Sequence, residues 1–295
     1  MKKFTSIVLS LMMALSLSAC SSSSKKDDTL NVLCPTGAPS LSMVSVYDDV
    51  TKEGKIDFVN GTDQLQAELV KEDGDYNVIV APINLGAKLL SAGKCQYQLV
   101  GVLTWGNLYL VGTDESDLEG DGEIALFGEG AVPQMIYNRT VASTVKLTAK
   151  YYTQATDVQA QLISGKVKAG MLAEPLATAT IAKAKQNGTE LKIIKDLQEV
   201  YGENGYPQAA IFAKEGTNMS TFLSSLDTFT NNGYEGLKEG IENVGVDTLG
   251  LPSVDIAVNT IERQNLHYKS ATECLDEINT FLKPMDIELT EDNLF

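Results

Sequence analysis

The sequence of 295 residues contains one histidine, one tryptophan and only two arginines. A single histidine cannot build a His-rich metal cage, and any Ser-His or Cys-His catalytic pair would depend on His267 alone. The chain also lacks a Gly-x-Ser-x-Gly motif, a Walker motif and repeated long apolar segments. These absences exclude a multi-span membrane protein and argue against most hydrolases and Walker-type nucleotide enzymes.

Positive charge is scarce as well. Lys and Arg total 23 against 39 Asp and Glu, which gives a formal net charge of −16. A chain of this sign repels phosphate backbones at neutral pH, so we expect no nucleic-acid partner. The 43% of hydrophobic residues is enough for a packed core, and the length is typical of two domains.

The N-terminus predicts export. Lys2 and Lys3 precede an apolar stretch, residues 7–19, that is too short to span a bilayer. The sequence Leu-Ser-Ala-Cys ending at Cys20 resembles the cleavage box of bacterial lipoproteins, which implies removal of the signal peptide 1–19 and acylation of Cys20. Two or three acyl chains anchor a protein durably. We therefore expect residues 20–29 to be a polar tether on the extracytoplasmic face of the cell membrane.

The remaining cysteines do not define a disulfide framework. Cys34, Cys95 and Cys274 are odd in number, so at least one is a free thiol. We expect them to be small buried apolar residues, and the sequence leaves open whether any two of them pair.

Two segments of the chain share one order of elements. A short apolar strand over residues 30–34 is followed by a Gly-Ala-Pro loop and a helix. A strand over residues 124–127 is followed by a Gly-Ala-Val-Pro loop and a helix. In both segments a Thr-Asp helix start comes next, then an apolar strand, a proline and another helix. The shared order predicts a duplicated α/β unit.

The intervals within the two units repeat too. Thr62 follows Pro39 at the same distance along the chain as Thr156 follows Pro133. Alternating strands and helices favour two mostly parallel sheets with helices on both faces, and ligand crevices of such sheets lie at the carboxyl ends of the strands. The predicted fold class is therefore α/β and bilobal, with a cleft between the lobes.

Apolar strands on either side of the second unit mark the crossings between the lobes. They lie within residues 96–112 and at residues 208–213. We expect lobe one to comprise residues 30–112 with 208–295, and lobe two to comprise residues 113–207.

Several segments, in this order and together with the lipoprotein box, carry a family resemblance. They are Gly37-Ala38-Pro39-Ser40-Leu41, Asp75 to Leu85 (DYNVIVAPINL), Gly101 to Asn107 (GVLTWGN), Ser116 to Gly120 (SDLEG) and Gly170 to Thr178 (GMLAEPLAT). From about residue 30 to about residue 250 the chain resembles the substrate-binding lipoproteins of ABC importers of the nitrate, sulfonate and taurine type, which include pyrimidine-precursor binders. The resemblance implies a type II periplasmic-binding fold that closes on one small solute and delivers it to permease subunits driven by a cytoplasmic ATPase. It implies neither catalysis nor a cofactor, and we expect a monomer.

The resemblance also places the ligand contacts in the loops at the cleft. The residues carried over are Gly37, Ala38, Ser40, Asn60, Asn84, Trp105, Gly106, Asn107, Gly130, Ala131, Val132, Glu174 and Gln208. Because Asn84 and Glu174 flank equivalent prolines, we expect them to face each other across the cleft. Asn84 alternatively caps only its own helix, Trp105 is alternatively a core aromatic, and Glu174 is alternatively a solvent-facing acid.

The predicted cleft departs from that of a simple anion binder. Arg139 and Arg263 are the two arginines, and neither falls in a predicted cleft loop, whereas Glu174 would repel an anion. An amine or ring-nitrogen donor for Glu174, on a flat heterocycle stacked over Trp105, fits these residues better than nitrate or an alkanesulfonate.

Alternative functions stay open at this point. The pair Tyr151-Tyr152 is compatible with ferric-ion binding, although a strand with one ring in the core explains it without metal. The acidic run over residues 114–123 lacks the spacing of a calcium loop and is typical of a solvated face. An enzyme of pyrimidine-precursor metabolism on the same fold would need a positioned base or a Schiff-base lysine, and no motif for either is present.

Overall fold

The computed structural model describes residues 29–295, which form an α/β protein with two β-sheets. The predicted signal peptide, the predicted acylation site Cys20 and nearly all of the predicted tether lie outside these residues. Within the described range no helix is both long and apolar enough to cross a bilayer.

The first sheet has six strands in the order β11-β4-β10-β3-β1-β2. Strands β1, β2 and β3 run parallel to one another, whereas β10 is antiparallel to both β3 and β4, and β11 is antiparallel to β4. The strands are β1 Asn31–Pro35, β2 Lys55–Val59, β3 Val78–Pro82, β4 Gln98–Thr104, β10 Ala209–Ala213 and β11 Leu266–Ser270.

The second sheet has five strands in the order β7-β6-β8-β5-β9. Strands β6, β7 and β8 are parallel, and β5 is antiparallel to β8 and β9. The strands are β5 Leu108–Gly112, β6 Glu123–Phe127, β7 Thr148–Tyr152, β8 Ala169–Ala173 and β9 Lys192–Asp196.

The duplicated unit predicted from the sequence is confirmed. In each sheet the first strand of the unit lies between the other two, in the order β3-β1-β2 and β8-β6-β7. Both sheets are mixed rather than mostly parallel, because the strands outside the duplicated units pair in the antiparallel sense. Among the strands of the two sheets, parallel pairing is thus found within the two units; one isolated parallel bridge joins Leu99 to Leu294 near the C-terminus.

Helices cover the faces of both sheets. Those of the first lobe are α1 Ala38–Met43, α2 Tyr47–Thr51, α3 Asp63–Leu69, α4 Ile83–Ser91, α9 Ser220–Asn231, α10 Leu237–Val244, α11 Val246–Leu249, α12 Val254–Asn259 and α13 Ala271–Leu282. Those of the second lobe are α5 Val132–Thr140, α6 Ala155–Ile163, α7 Leu176–Gln186 and α8 Leu197–Tyr201. Short 3₁₀ turns lie at Glu115–Glu119, Ile261–Gln264, Lys283–Met285 and Glu291–Asn293.

The boundary between the lobes lies one strand earlier than the sequence suggests. We expect residues 108–112 in lobe one, but their hydrogen bonds make them β5, a strand of the second sheet. The chain therefore crosses from the first sheet to the second at residues 105–107. Both neighbouring strands are buried and apolar, so their composition does not reveal which sheet each one joins.

The core is organised by alternation along the strands. In β1, Leu33 packs into one apolar cluster, whereas Val32 and Cys34 pack into another on the opposite face of the sheet. The cluster containing Leu33 continues into the second lobe, where it includes Ile124 and Met171. The two lobes thus share one continuous apolar core through their junction.

The three described cysteines are free thiols. Cys34 and Cys274 are buried, as expected for small apolar residues, and Cys95 is half-buried. Burial raises the pKa of the Cys34 thiol well above its usual range. The Cys34 thiol is therefore protonated and unreactive at neutral pH.

Candidate ligand-binding site

Backbone hydrogen bonds hold strand ends of the first sheet at the junction of the lobes. The Ile83 N–H donates to the Gln208 carbonyl at 2.8 Å, and the Gln208 N–H donates to the Thr104 carbonyl at 2.9 Å. Residues 105–107 then lead from β4 into the second sheet. The carboxyl ends of β3 and β4 and the beginning of β10 therefore meet where the chain crosses between lobes.

A cavity of about 450 Å³ opens between the two lobes beside this junction. Helices α4 and α5 both begin at the cavity, and N–H groups of a first helical turn have no partner within the helix. Such N–H groups can donate to oxygen atoms of a ligand. We call this space the interlobe cavity. Its lining residues are Asn84, Gly130, Ala131, Gln134, Met135, Asn138, Arg139, Pro284 and Met285.

Three of the predicted contact residues carry buried amide oxygens that have no hydrogen-bond partner among residues 29–295. These atoms are Asn84 Oδ1, Asn107 Oδ1 and Gln208 Oε1, and we call the residues the interlobe amides. A buried acceptor left unpaired costs about 1–3 kcal/mol, so such groups are rare and require an explanation. Asn84 lies at the cavity, and the other two lie in the segments that connect the sheets. The unpaired amides therefore mark the junction as a candidate site.

Glu174 forms an ion pair with Arg263. Its side chain is fully buried, and Arg263 Nε donates to Glu174 Oε1 at 2.9 Å. Thr178 adds a hydroxyl and a backbone N–H to the same carboxylate, at 2.8 and 3.1 Å, and its hydroxyl also accepts from Arg263 Nη2. Glu174 follows β8 of the second lobe, whereas Arg263 belongs to the C-terminal segment of the first. The pair therefore connects the lobes.

This arrangement corrects two expectations from the sequence. Arg263 is absent from every predicted cleft loop, yet it lies at the lobe junction against Glu174. Arg139, also excluded from the predicted cleft, lines the interlobe cavity, with its guanidinium 4.6 Å from the centre of the Tyr201 ring. Glu174 does not line the cavity that Asn84 lines, so the predicted pair across the cleft is not formed there.

Trp105 is held by the first lobe. Its indole N–H donates to the His267 carbonyl at 2.7 Å, and the Lys269 ammonium lies 4.6 Å from the ring centre. Trp105 is 3% exposed and borders a different cavity, of about 660 Å³, together with Tyr109 and Arg263. A ligand in the interlobe cavity would not stack on Trp105, because this residue does not line it.

Gly106 and Asn107 lie in the segment that crosses between the sheets, and both contact neighbouring residues there. The Asn107 Nδ2 donates to the Glu174 carbonyl at 3.1 Å, and the Glu174 N–H donates to the Asn107 carbonyl at 3.0 Å. Gly106 has φ +89° and lies against the ring of Tyr206. Asn107 therefore binds the second lobe through its amide nitrogen and leaves its oxygen unpaired.

The predicted loop after β1 packs on the C-terminal segment. The Gly37 N–H donates to the Leu249 carbonyl, and the buried Ser40 hydroxyl donates to the carbonyls of Gly37 and Leu249 at 2.7 and 2.9 Å. Ala38 is also buried, whereas Asn60 is exposed and accepts from the hydroxyl of Thr36. The structure therefore separates this loop from the residues that line the interlobe cavity.

We expect Ser40→Ala to lower the free energy of unfolding by about 1 kcal/mol, because the buried hydroxyl shares its hydrogen between the Gly37 and Leu249 carbonyls, which would keep only their backbone N–H donors. Ser42→Ala is the matched control, since the Ser42 hydroxyl is buried without a partner among the described residues and its removal should be neutral or stabilising. Urea denaturation of both variants measures the difference. Equal stability of the two variants would contradict the role assigned to Ser40.

The loop before α5 lies at the interlobe cavity. Gly130 and Ala131 are lining residues, whereas Val132 is buried in the core beneath them. Gln134 Oε1 accepts from the Gly130 N–H at 2.7 Å and so holds the loop against the helix. Gln134 and Met135 also line the cavity, although neither is among the residues predicted from the sequence, and their position in the first turns of α5 is the signal that could have identified them.

The two tyrosines considered for iron lie on opposite faces of β7. Tyr151 packs against the cluster shared by both lobes, and Tyr152 against the outer cluster of the second lobe. Within residues 29–295 no group of three His, Cys, Asp or Glu side chains is arranged to hold a metal ion. In the acidic run, Asp114 caps a 3₁₀ turn and pairs with Lys192 at 3.0 Å on the surface.

The fold is similar to those of solved transport proteins. An ABC transporter structure from Parabacteroides distasonis is 22% identical, covers 88% of this chain and 92% of its own, and has a TM-score of 0.73. The periplasmic aliphatic sulphonate binding protein SsuA from Escherichia coli covers 88% of each chain at 16% identity, with a TM-score of 0.60. The alkanesulfonate-binding protein SsuA from Xanthomonas axonopodis pv. citri, solved with MOPS bound, is 14% identical over 88% of this chain and 92% of its own, with a TM-score of 0.61.

These comparisons establish a periplasmic-binding-protein-like fold. No family model and no curated protein sequence matches the chain. At such low identities the similarity extends to the architecture of two α/β lobes, as the predicted fold class requires.

Proposed function

We propose that this protein is the solute-binding component of an ABC importer. The observation that carries the proposal is the interlobe cavity, which receives residues from both lobes and is lined by Asn84, one of the three residues with a buried, unpaired amide oxygen at the junction. A cleft that lies at the carboxyl ends of strands and contains unpaired polar groups can bind one small polar molecule reversibly. The solved structures of similar fold are described as transport and binding proteins, which supports this use of the fold.

Binding in this site requires the lobes to move. The interlobe amide oxygens are out of contact with solvent in the present arrangement, so a solute reaches them only when the lobes separate. A solute that binds both lobes shifts the equilibrium between open and closed forms toward the closed form. The permease would recognise that change of shape. No chemical step on the solute is needed.

The N-terminal sequence supports an anchored receptor. We propose that Cys20 carries the lipid and that residues 20–29 tether the folded body to the extracytoplasmic face of the membrane. The partners on this proposal are the solute, the permease subunits and, through them, the cytoplasmic ATPase. A monomer is sufficient, because the cavity is completed within one chain.

Protein purified from its native host is expected to release one small polar molecule per chain on denaturation, which mass spectrometry would detect. Returning that molecule to the emptied protein should change the emission of Trp105, the single tryptophan, because its segment connects the lobes. Asn84→Ala should weaken the response about tenfold, the loss expected for about 1.4 kcal/mol of hydrogen bonding.

The matched control is Asn60→Ala, which removes an exposed amide outside the cavity and should leave the affinity unchanged. If no solute is released, or if both variants bind like the unaltered protein, the proposed function or its site is wrong.

A further inference from the structure

We infer that the solute is uncharged and presents at least two N–H donors, as an amide, a urea or an amino-substituted heterocycle does. The inference rests on the proposed function and adds the chemical class of the ligand. The inference follows from two observations on residues 29–295. Some buried polar atoms of the junction have no hydrogen-bond partner, and the buried carboxylate there is already paired with an arginine.

The unpaired atoms are acceptors. Asn107 fixes this point, because its Nδ2 already donates to the Glu174 carbonyl, so the atom left over is the oxygen. Asn107 is 4% exposed, and its unpaired Oδ1 is buried, as are Asn84 Oδ1 and Gln208 Oε1. An acceptor is satisfied only by a donor. A sulfonate, carboxylate or nitrate brings acceptors alone and would leave the Asn107 oxygen unpaired, and the oxygens of Asn84 and Gln208 as well in the orientation that they have here.

A cationic solute is disfavoured for a different reason. An ammonium group could donate to the amide oxygens, but burying it without an opposite charge is costly. Glu174 is the buried carboxylate at the junction, and it is matched by Arg263 at 2.9 Å. In the part of the chain that the structure describes, no carboxylate lines the interlobe cavity.

Arg139 is the charge that could draw an anion into the cavity. Its guanidinium lies over the Tyr201 ring, 4.6 Å from the ring centre, so one face of the group is already covered. An anion beside Arg139 would still not supply a donor to the interlobe amides. The three oxygens together therefore favour a neutral donor over an anion.

The apolar part of the cavity sets a further requirement. Met135, Met285 and Pro284 lie on its wall beside the polar residues. A solute with a donor-rich end and a small apolar body would pair with the amides at one end and cover these side chains with the other.

Three propyl compounds separate the charge classes: propylurea, propanesulfonate and propylammonium. We expect propylurea at millimolar concentration to raise the melting temperature of the emptied protein and to change Trp105 emission, and the two charged probes to do neither. No response to propylurea, or a larger response to propanesulfonate that is lost in Arg139→Gln, overturns the inference.

Charge variants test the same assignment. In Asn107→Asp a carboxylate replaces the amide, and a charge-assisted bond should bind propylammonium about tenfold more tightly than the unaltered protein does. Gln208→Glu makes the same change without removing the contact to Glu174 and serves if Asn107→Asp does not fold. Asn60→Asp, at an exposed position, is the control and should not change the preference. Unchanged probe preference in both junction variants contradicts the inference.

The proposed function and this inference fail in different ways. Release of a bound anion from protein purified from its host would overturn the inference and leave the transport role intact. A protein that carries no solute and responds to no probe would overturn both.

Discussion

Arg263→Ala is expected to lower the free energy of unfolding by about 3 kcal/mol, because it leaves the fully buried Glu174 carboxylate without its cation. The Thr178 hydroxyl and N–H remain as donors, but they do not supply the opposite charge. Since the pair joins the two lobes, the variant should also shift the protein toward open forms and weaken ligand binding. Urea denaturation and small-angle scattering measure the two effects.

A surface ion pair provides the comparison. Lys192 and Asp114 approach to 3.0 Å, but both side chains are more than half exposed. Lys192→Ala should therefore cost no more than about 1 kcal/mol, as is usual for exposed pairs. Equal losses in the two variants would contradict the expectation that burial makes the loss of the Glu174 partner more costly.

Gly106→Ala is expected to destabilise the protein by about 3 kcal/mol through two separate effects. The backbone at this position has φ +89°, a conformation that residues with a Cβ rarely adopt. An added Cβ would also lie 2.6 Å from the ring of the buried Tyr206. That ring stacks on Phe281 with centres 5.9 Å apart, so it cannot move aside without disturbing the core.

Gly130→Ala separates the two effects. Gly130 has φ +73°, but an added Cβ there would meet no described atom within 4 Å. Its substitution should cost only the backbone strain, about 1 kcal/mol. Thermal and urea denaturation of both variants test this difference, and a Gly106→Ala protein as stable as Gly130→Ala would contradict the packing described for the crossing.

The duplicated architecture could be predicted because each of its strands and helices is specified by a local sequence pattern. Apolar runs with turn residues at matched intervals specify strands and helices without reference to distant parts of the chain. The apolar strand predicted after the second Thr-Asp helix is observed as Ala169–Ala173, and the predicted Thr-Asp helix starts correspond to α3 and α6. Each of these elements depends mainly on its own residues.

The parts that could not be predicted depend on long-range contacts. Arg263 reaches Glu174 across 89 residues of sequence, and nothing near either residue indicates the partner. The sheet that β5 joins is likewise decided by hydrogen bonds to β8 and β9. The expected stacking on Trp105 depended on the direction of its ring, which is set by the distant carbonyl of His267.

Of the predicted site residues, the structure groups Asn84, Gly130 and Ala131 at the interlobe cavity and places Asn107 and Gln208 at the junction beside it. Ser40, Trp105 and Glu174 instead hold the protein together through their own buried partners. The positions of several of these loops near the crossings could be predicted from the sequence. Which of their side chains already have hydrogen-bond or ion-pair partners could not.

Hydrogen–deuterium exchange, with and without the solute carried from the native host, tests most directly whether two lobes close on a shared ligand. We expect slower exchange in the solute-bound protein at the start of α4 and at the start of α5 together, and at the crossing over residues 105–107. Protection restricted to one lobe, or an exchange pattern that the solute does not change, would contradict closure of the two lobes on one ligand.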